Sequence, residues 1–139
     1  MKRALAVIFV PLVFLGACEN EAKERKGEGP KATCGPTPSA LAQVPTLPSG
    51  FPTPDEVSYT STSQAGPSTI VAGFWQGDLV DAFDGYKAAF QQAGYQVTKD
   101  EKEADDAEVN FSGGNSTGQV KLREECEGRT TLTITIRPS

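Results

Sequence analysis

The feature that most constrains the fold is a strict alternation of apolar and polar residues in the last third of the chain. The alternating apolar residues are Ala107, Val109 and Phe111, then Val120 and Leu122, then Leu132, Ile134 and Ile136. Because successive side chains of a strand point to opposite faces of a sheet, this period of two predicts strands with one buried and one solvated face. Ser112-Gly113-Gly114-Asn115 and Glu127-Gly128 separate the three stretches and are typical of turns.

Further strands are predicted upstream. Val57–Ser61 alternates apolar and polar residues, and Ile70–Trp75 is a mostly apolar run. Gly66-Pro67 lies between them and favours a turn, so the two stretches predict a hairpin. Tyr95–Thr98 begins another extended stretch.

One amphipathic helix is predicted between these two groups of strands, from Leu79 to Ala93. Its apolar residues recur at steps of three and four, as one helical face requires: Leu79, Phe83, Tyr86, Phe90 and Ala93. Asp78 is a suitable N-cap, and Gly94 suits the left-handed C-terminal cap. Gly85 disfavours the helix relative to alanine, so its presence indicates close packing against a strand.

These elements predict an α+β fold. We expect an antiparallel sheet of five or six strands with the helix packed on its apolar face, in the order β-β-α-β-β-β. The expected core residues are Trp75 or Phe74, Phe83, Tyr86, Phe90, Phe111 and Ile134.

The beginning of the chain is typical of a secretory signal peptide. A short positive start, Met1-Lys2-Arg3, precedes an apolar run from Ala4 to Leu15. This run is shorter than the roughly 20 residues that a membrane-spanning helix needs. We therefore predict a signal peptide at residues 1–17.

The apolar run ends in Leu15-Gly16-Ala17-Cys18, which resembles the lipobox of bacterial lipoproteins. This resemblance implies that the chain is cleaved before Cys18 and that lipid on Cys18 holds it to the cell membrane or the outer membrane, facing away from the cytoplasm. An ordinary signal peptide, in which Cys18 has no such role, is the alternative. Acyl chains anchor a protein stably when two or more are present.

Residues 18–54 are predicted to be a lipidated N-terminus and tether, and residues 55–139 the folded domain. The tether is rich in Glu, Lys, Gly, Pro, Ser and Thr, and residues of these types bury too little apolar surface to fold alone. Cys34 and Cys126 remain as a pair, which outside the cytoplasm predicts a disulfide. Two free thiols or a metal site are the alternatives.

Composition excludes several classes of function. Acidic residues outnumber basic ones, 18 to 13, and the formal net charge of −5 disfavours binding to nucleic acid. The chain has no histidine, so it lacks the commonest general base and the commonest imidazole ligand for metals.

Carboxylate pairs such as Asp78 with Asp81 are explained by the start of the helix. The acidic segment Asp100–Glu108 does not fit a calcium loop and is better explained as a solvated hairpin tip. We therefore predict no enzyme activity, no metal and no cofactor.

The solvated face of the sheet is the candidate partner surface. It carries Lys121, Arg123, Thr133, Thr135 and Arg137, although threonine and charge are also what exposed strands ordinarily contain. We expect a non-enzymatic lipoprotein of the cell envelope, similar to many small bacterial lipoproteins, that binds an envelope protein or a cell-wall partner. The alternative is a small-molecule carrier with an apolar pocket between helix and sheet, near Trp75, Tyr86 and Tyr95.

Overall fold

The computed structural model describes residues 30–139, which form an open antiparallel sheet of six strands and one α-helix. The elements are β1 Val57–Ala65, β2 Ser68–Gln76, α1 Leu79–Gln92, β3 Gln96–Lys102, β4 Asp106–Gly113, β5 Ser116–Cys126 and β6 Arg129–Pro138. The α+β class and the predicted order of strands and helix are confirmed. Four strands follow the helix, because the extended stretch that begins near Tyr95 forms a strand of its own, β3.

Hydrogen bonding arranges the strands in the order β1-β2-β6-β5-β4-β3. The last strand along the chain therefore lies at the centre, between β2 and β5, and β1 and β3 form the two edges. The predicted turns join neighbouring strands at Gly66-Pro67, Gly114-Asn115 and Glu127-Gly128. Gly114 and Asn115 have φ angles of 55° and 59°, the left-handed conformation that favours a tight two-residue hairpin turn.

Helix α1 begins and ends where its capping residues predict. The Asp78 carboxylate accepts a hydrogen bond from the Asp81 backbone N–H at 2.9 Å, which satisfies a donor that the helix itself leaves free. At the other end Gly94, with φ 78°, donates to the Gln91 carbonyl, and Tyr95 donates to the Phe90 carbonyl. These two bonds form a Schellman motif, and the Tyr95 ring packs back on the Phe90 ring as the motif favours.

The core lies between α1 and the face of the sheet that α1 covers. All six expected core residues, with Trp75 rather than Phe74 among them, belong to this cluster. Phe90 and Phe111 stack with ring centroids 4.6 Å apart. Phe51, from the stretch predicted as a tether, packs edge-on against both rings.

The segment before β1, residues 30–56, wraps around the β1 edge of the sheet, and we call it the strap. It starts beside the β5–β6 turn, where the Glu127 N–H donates to the Ala32 carbonyl. It reaches the β1 edge where the Leu41 N–H donates to the Tyr59 carbonyl at 2.7 Å, and then delivers Phe51 to the core. Within residues 30–139 there is no helix of the length and hydrophobicity that crossing a membrane requires.

Candidate functional site

The predicted partner residues lie on the face of the sheet opposite α1, which we call the open face. Lys121 and Arg123 alternate along β5 with the buried Val120 and Leu122, and the corresponding residues of β6 do the same. The register of β5 and β6 sets Lys121 beside Thr133. The structure therefore brings the predicted residues together on two adjacent strands: Lys121, Arg123, Thr133, Thr135 and Arg137.

Two shallow grooves run across this face. The larger, about 530 Å³, contains Lys121, Arg123 and Thr133. The smaller, about 430 Å³, contains Thr135 and Arg137. Both are lined by residues of β4, β5 and β6, so the predicted residues form part of the floor of each groove.

The cations of the open face differ in how they are paired. Lys121 Nζ lies 3.8 Å from a carboxylate oxygen of Glu108, and the other oxygen of Glu108 accepts a hydrogen bond from Asn110. Arg123 and Arg137 form no ion pair with any residue in the range 30–139. Their guanidinium groups therefore keep donors that suit a carboxylate or phosphate of a partner.

Carboxylates form the opposite wall of the larger groove. Glu101 belongs to β3, Glu103 to the β3–β4 connection, and Asp106 and Glu108 to β4, so the acidic segment is a hairpin, as predicted. Over residues 30–139, no group of three or more His, Cys, Asp or Glu side chains is placed to hold a metal ion. The groove thus presents acids along one side and cations with threonine hydroxyls along the other.

The strap covers the end of the open face next to the β5–β6 turn. Arg129, which is 6% exposed, donates to both carboxylate oxygens of Glu125, at 2.8 and 3.1 Å. Its guanidinium also donates to the Gly35 and Pro36 carbonyls, at 3.4 and 3.5 Å. The fork of donors on arginine suits this combination of a bidentate carboxylate and two carbonyls, and it holds the strap against the sheet.

Phe74 is buried although it faces away from the core. It neighbours Trp75, whose side chain is in the core, so alternation directs Phe74 to the open face. Phe74 is nevertheless only 4% exposed. Its cross-strand neighbours are Ser58 of β1 and Thr131 of β6, and the strap bonds to Arg129 of β6 at Pro36 and to Tyr59 of β1 at Leu41.

The predicted disulfide joins Cys34 of the strap to Cys126 at the end of β5, with Cα atoms 5.0 Å apart. Beside it, Lys31 forms an ion pair with Glu124 at 2.6 Å. The strap is therefore held at this corner by a covalent bond, an ion pair and the Arg129 hydrogen bonds.

The sequence patterns did not predict that Arg129 and Glu125 hold the strap, or that Phe74 is buried on the open-face side of β2. Arg129 and Glu125 look like ordinary polar positions of an alternating pattern. Phe74 and Trp75, by contrast, are large adjacent aromatics in one strand, and neighbours in a strand face opposite ways. That pair was the one signal that both faces of β2 are covered.

The interior residues of the carrier alternative, Trp75, Tyr86 and Tyr95, are all at most 5% exposed, and their rings pack against other aromatic rings. Burial raises the pKa of the Tyr86 hydroxyl well above its ordinary value, and the adjacent Tyr59 hydroxyl adds to this. Burial also raises the pKa of Tyr59, partly offset by Tyr86. The two hydroxyls influence each other's ionisation, although their geometry falls outside that of a hydrogen bond.

The predicted signal peptide and Cys18 lie outside the described residues. Comparisons of the chain with protein-family models, with curated proteins and with solved structures found no match.

Proposed function

We propose that this chain is a lipid-anchored lipoprotein of the bacterial cell envelope whose domain binds a partner through the open face of its sheet. In this proposal Cys18 carries the lipid, residues 1–17 are removed, and the domain faces away from the cytoplasm on the cell membrane or the outer membrane. The partner is an envelope protein or a cell-wall polymer, and the domain acts as a non-enzymatic binding module.

Two observations support a location outside the cytoplasm. The leader ends in Leu15-Gly16-Ala17-Cys18 directly after its apolar run, as a lipobox does. The Cys34–Cys126 disulfide favours an oxidising compartment, since reducing systems keep thiols free in the cytosol.

The observation that carries the binding proposal is the unpaired state of Arg123 and Arg137 in the open-face grooves. Lys87, Lys99, Lys121 and Arg129 each form an ion pair with a described carboxylate, whereas Arg123 and Arg137 form none in the described part of the chain. Arg123 also lies opposite Asp106 in register, and both line the groove that holds the acidic wall. The groove has acids along one side and cations with threonine hydroxyls along the other. A partner with both acidic groups and basic or hydroxyl groups complements the two sides.

The carrier alternative gains no specific support from the described residues. The rings of Trp75, Tyr86 and Tyr95 contact one another or other core aromatics, and both grooves lie on the other face of the sheet. It stays a hypothesis, which a thermal-shift screen with small ligands tests.

The anchor is tested by expressing the full chain in a bacterium and following its fractionation. We expect the chain in the membrane fraction, incorporation of labelled palmitate, and an acylated N-terminal Cys18 by mass spectrometry. Cys18→Ser should abolish acylation. An unmodified Cys18, or an intact leader on a cytosolic chain, would contradict the proposal.

The binding face is tested by crosslinking in intact cells, followed by mass spectrometry of the captured material. We expect Arg123→Glu combined with Arg137→Glu to reduce capture of a specific protein or cell-wall fragment by about tenfold, because reversed charges at an interface are repulsive. Lys102→Glu, compared with Arg123→Glu alone, is the matched control, because Lys102 also forms no ion pair among the described residues and lines neither groove. Equal capture by these two single variants would exclude the open face.

A further inference from the structure

The two edges of the sheet differ in charge. The β3 edge carries Lys99, Asp100, Glu101 and Lys102 in succession. The other edge strand, β1, has no charged residue, and none occurs anywhere from Val57 to Gly77. Charged side chains on an edge strand prevent another strand from pairing with it. The charged side chains of β3 therefore protect that edge from pairing with an added strand, and β1 has no such protection.

Part of the β1 edge is uncovered. The strap reaches it at the Leu41–Tyr59 hydrogen bond, and no other backbone hydrogen bond from outside the sheet reaches β1 beyond Tyr59 in the described range. The remaining part, Ser61–Ala65, is exposed at every residue. Its outward backbone N–H and C=O groups are thus available to an added strand.

One exposed apolar side chain lies where the strap meets this edge. Leu41, whose backbone N–H donates to the Tyr59 carbonyl, is 39% exposed. An added strand along Ser61–Ala65 would end beside this side chain.

We propose that the occupant of this edge is the β1 strand of a second copy of the chain, paired antiparallel about a two-fold axis at Ser63. Two-fold symmetry then pairs Ser63 with Ser63, Thr62 with Gln64, and Ser61 with Ala65. In such a contact any charge at the axis faces its own copy, so a neutral edge suits self-pairing. Strand β1 contains no charged residue, so it meets this condition.

The paired stretch is short, so the contact area is below that of a stable dimer in dilute solution. Confinement to a membrane surface raises the effective concentration of the copies and strengthens such a contact. The strength of the dimer, though not its geometry, therefore depends on the proposed anchor.

Disulfide trapping in isolated membranes tests the register. The full chain is compared with Ser63→Cys and with Gln96→Cys, which places a thiol on the β3 edge. We expect mild oxidation to convert Ser63→Cys to a disulfide-linked dimer at least about tenfold more than Gln96→Cys or the parent chain, because only the β1 edges meet. No excess dimer from Ser63→Cys would overturn the inference, and so would trapping of Ser63→Cys on a different protein.

Charge pairing gives a second test that does not need an added thiol. Two differently tagged copies of the full chain are produced together and co-purified through one tag. We expect Ser63→Lys in both copies, or Ser63→Glu in both, to lower co-purification about fivefold, and Ser63→Lys with Ser63→Glu to restore it. Rescue by the mixed pair is particular to self-pairing. Unchanged co-purification in all combinations would contradict the proposal.

Membrane fractionation and Cys18 acylation, measured on the same samples, separate this inference from the proposed function. An acylated, membrane-bound chain that gives neither trapping nor rescue excludes the β1 dimer and leaves the anchor intact. A chain without acylation that still gives Ser63 trapping when concentrated supports the dimer and excludes the anchor.

Discussion

The Trp75 ring lies directly over Gly85 of helix α1, at the point where any other residue would place its Cβ atom. Strand β2 and helix α1 approach each other this closely because Gly85 has no side chain. The close packing predicted from a glycine within the helix is thus confirmed, with Trp75 as the strand residue concerned.

We expect Gly85→Ala to destabilise the fold by about 1–3 kcal/mol, because overpacking against Trp75 outweighs the roughly 1 kcal/mol that alanine gains in helix propensity. Urea unfolding followed by circular dichroism measures the change. In a Trp75→Phe background the alanine should cost less, since the overlapping part of the indole ring is gone. An equal cost in both backgrounds would assign the effect to something other than this contact.

Breaking the Cys34–Cys126 disulfide should lower the free energy of unfolding by about 4 kcal/mol, less any native strain, because the bond closes a long loop in the unfolded chain. Trp75, the one tryptophan, reports unfolding by fluorescence with and without reductant. The variant with both cysteines changed to serine should match the reduced parent, and reductant should not affect it further. A reductant effect on that variant would point to a different thiol.

Phe51→Ala should destabilise the fold by about 3–5 kcal/mol, since Phe51 is 7% exposed and packs against three core rings. Val44→Ala, in the same stretch but on the surface, should change stability by no more than about 0.5 kcal/mol. Denaturant midpoints of the two variants make the comparison. Equal, small effects would mean that the strap is not part of the packed unit.

Tyr86→Phe should leave stability unchanged or raise it by up to about 1 kcal/mol, because the buried hydroxyl has no well-formed hydrogen bond among the described residues. Ala89→Gly on the same helix serves as a destabilising reference. A clear loss of stability in Tyr86→Phe would show that the hydroxyl has a partner, such as a buried water.

Alkaline pH should destabilise the fold through the same pair of tyrosines. Burial raises the pKa of Tyr59 and Tyr86 in the folded state above the ordinary value of 10.0. The contribution of these neutral tyrosines to the free energy of unfolding is therefore fully present below pH 10.0. It is lost as the pH rises towards their pKa values in the folded state, because over that range the tyrosines ionise only in the unfolded chain. Urea unfolding at about pH 9 and about pH 11 measures the loss, which should be smaller in Tyr86→Phe. An identical pH dependence in the variant would exclude Tyr86 as a cause.

Local patterns were sufficient for the elements themselves. The period-two stretches around Val109 and Ile134, the helical spacing from Leu79 to Phe90, and the turn residues each depend on residues close in sequence. The candidate open face followed from the same alternation, because every second residue of β5 and β6 has to face away from the core. Cys34 and Cys126 paired as predicted, since they were an even pair once Cys18 was assigned to lipid.

The role of the strap did not follow from those patterns. Its proline-rich composition is typical of a tether, yet Phe51 belongs to the core and Arg129 binds the strap carbonyls from the far end of the chain. A single phenylalanine in a polar stretch forms no periodic pattern, so the sequence did not predict its burial. An arginine at a polar strand position resembles any solvated residue, so its bonds to the strap could not be predicted either. Both depend on contacts between residues that are far apart in the chain.

The sequence by itself determined the helix, the turns, the alternating strands and which side of β4, β5 and β6 meets water, because neighbouring residues decide these properties. Only the tertiary structure decided that β6 lies between β2 and β5, that Phe74 is buried on the face opposite the core, and that the uncharged strand β1 lies at an edge of the sheet. Many strand orders satisfy the same alternation, and the choice among them depends on packing between residues far apart in the chain.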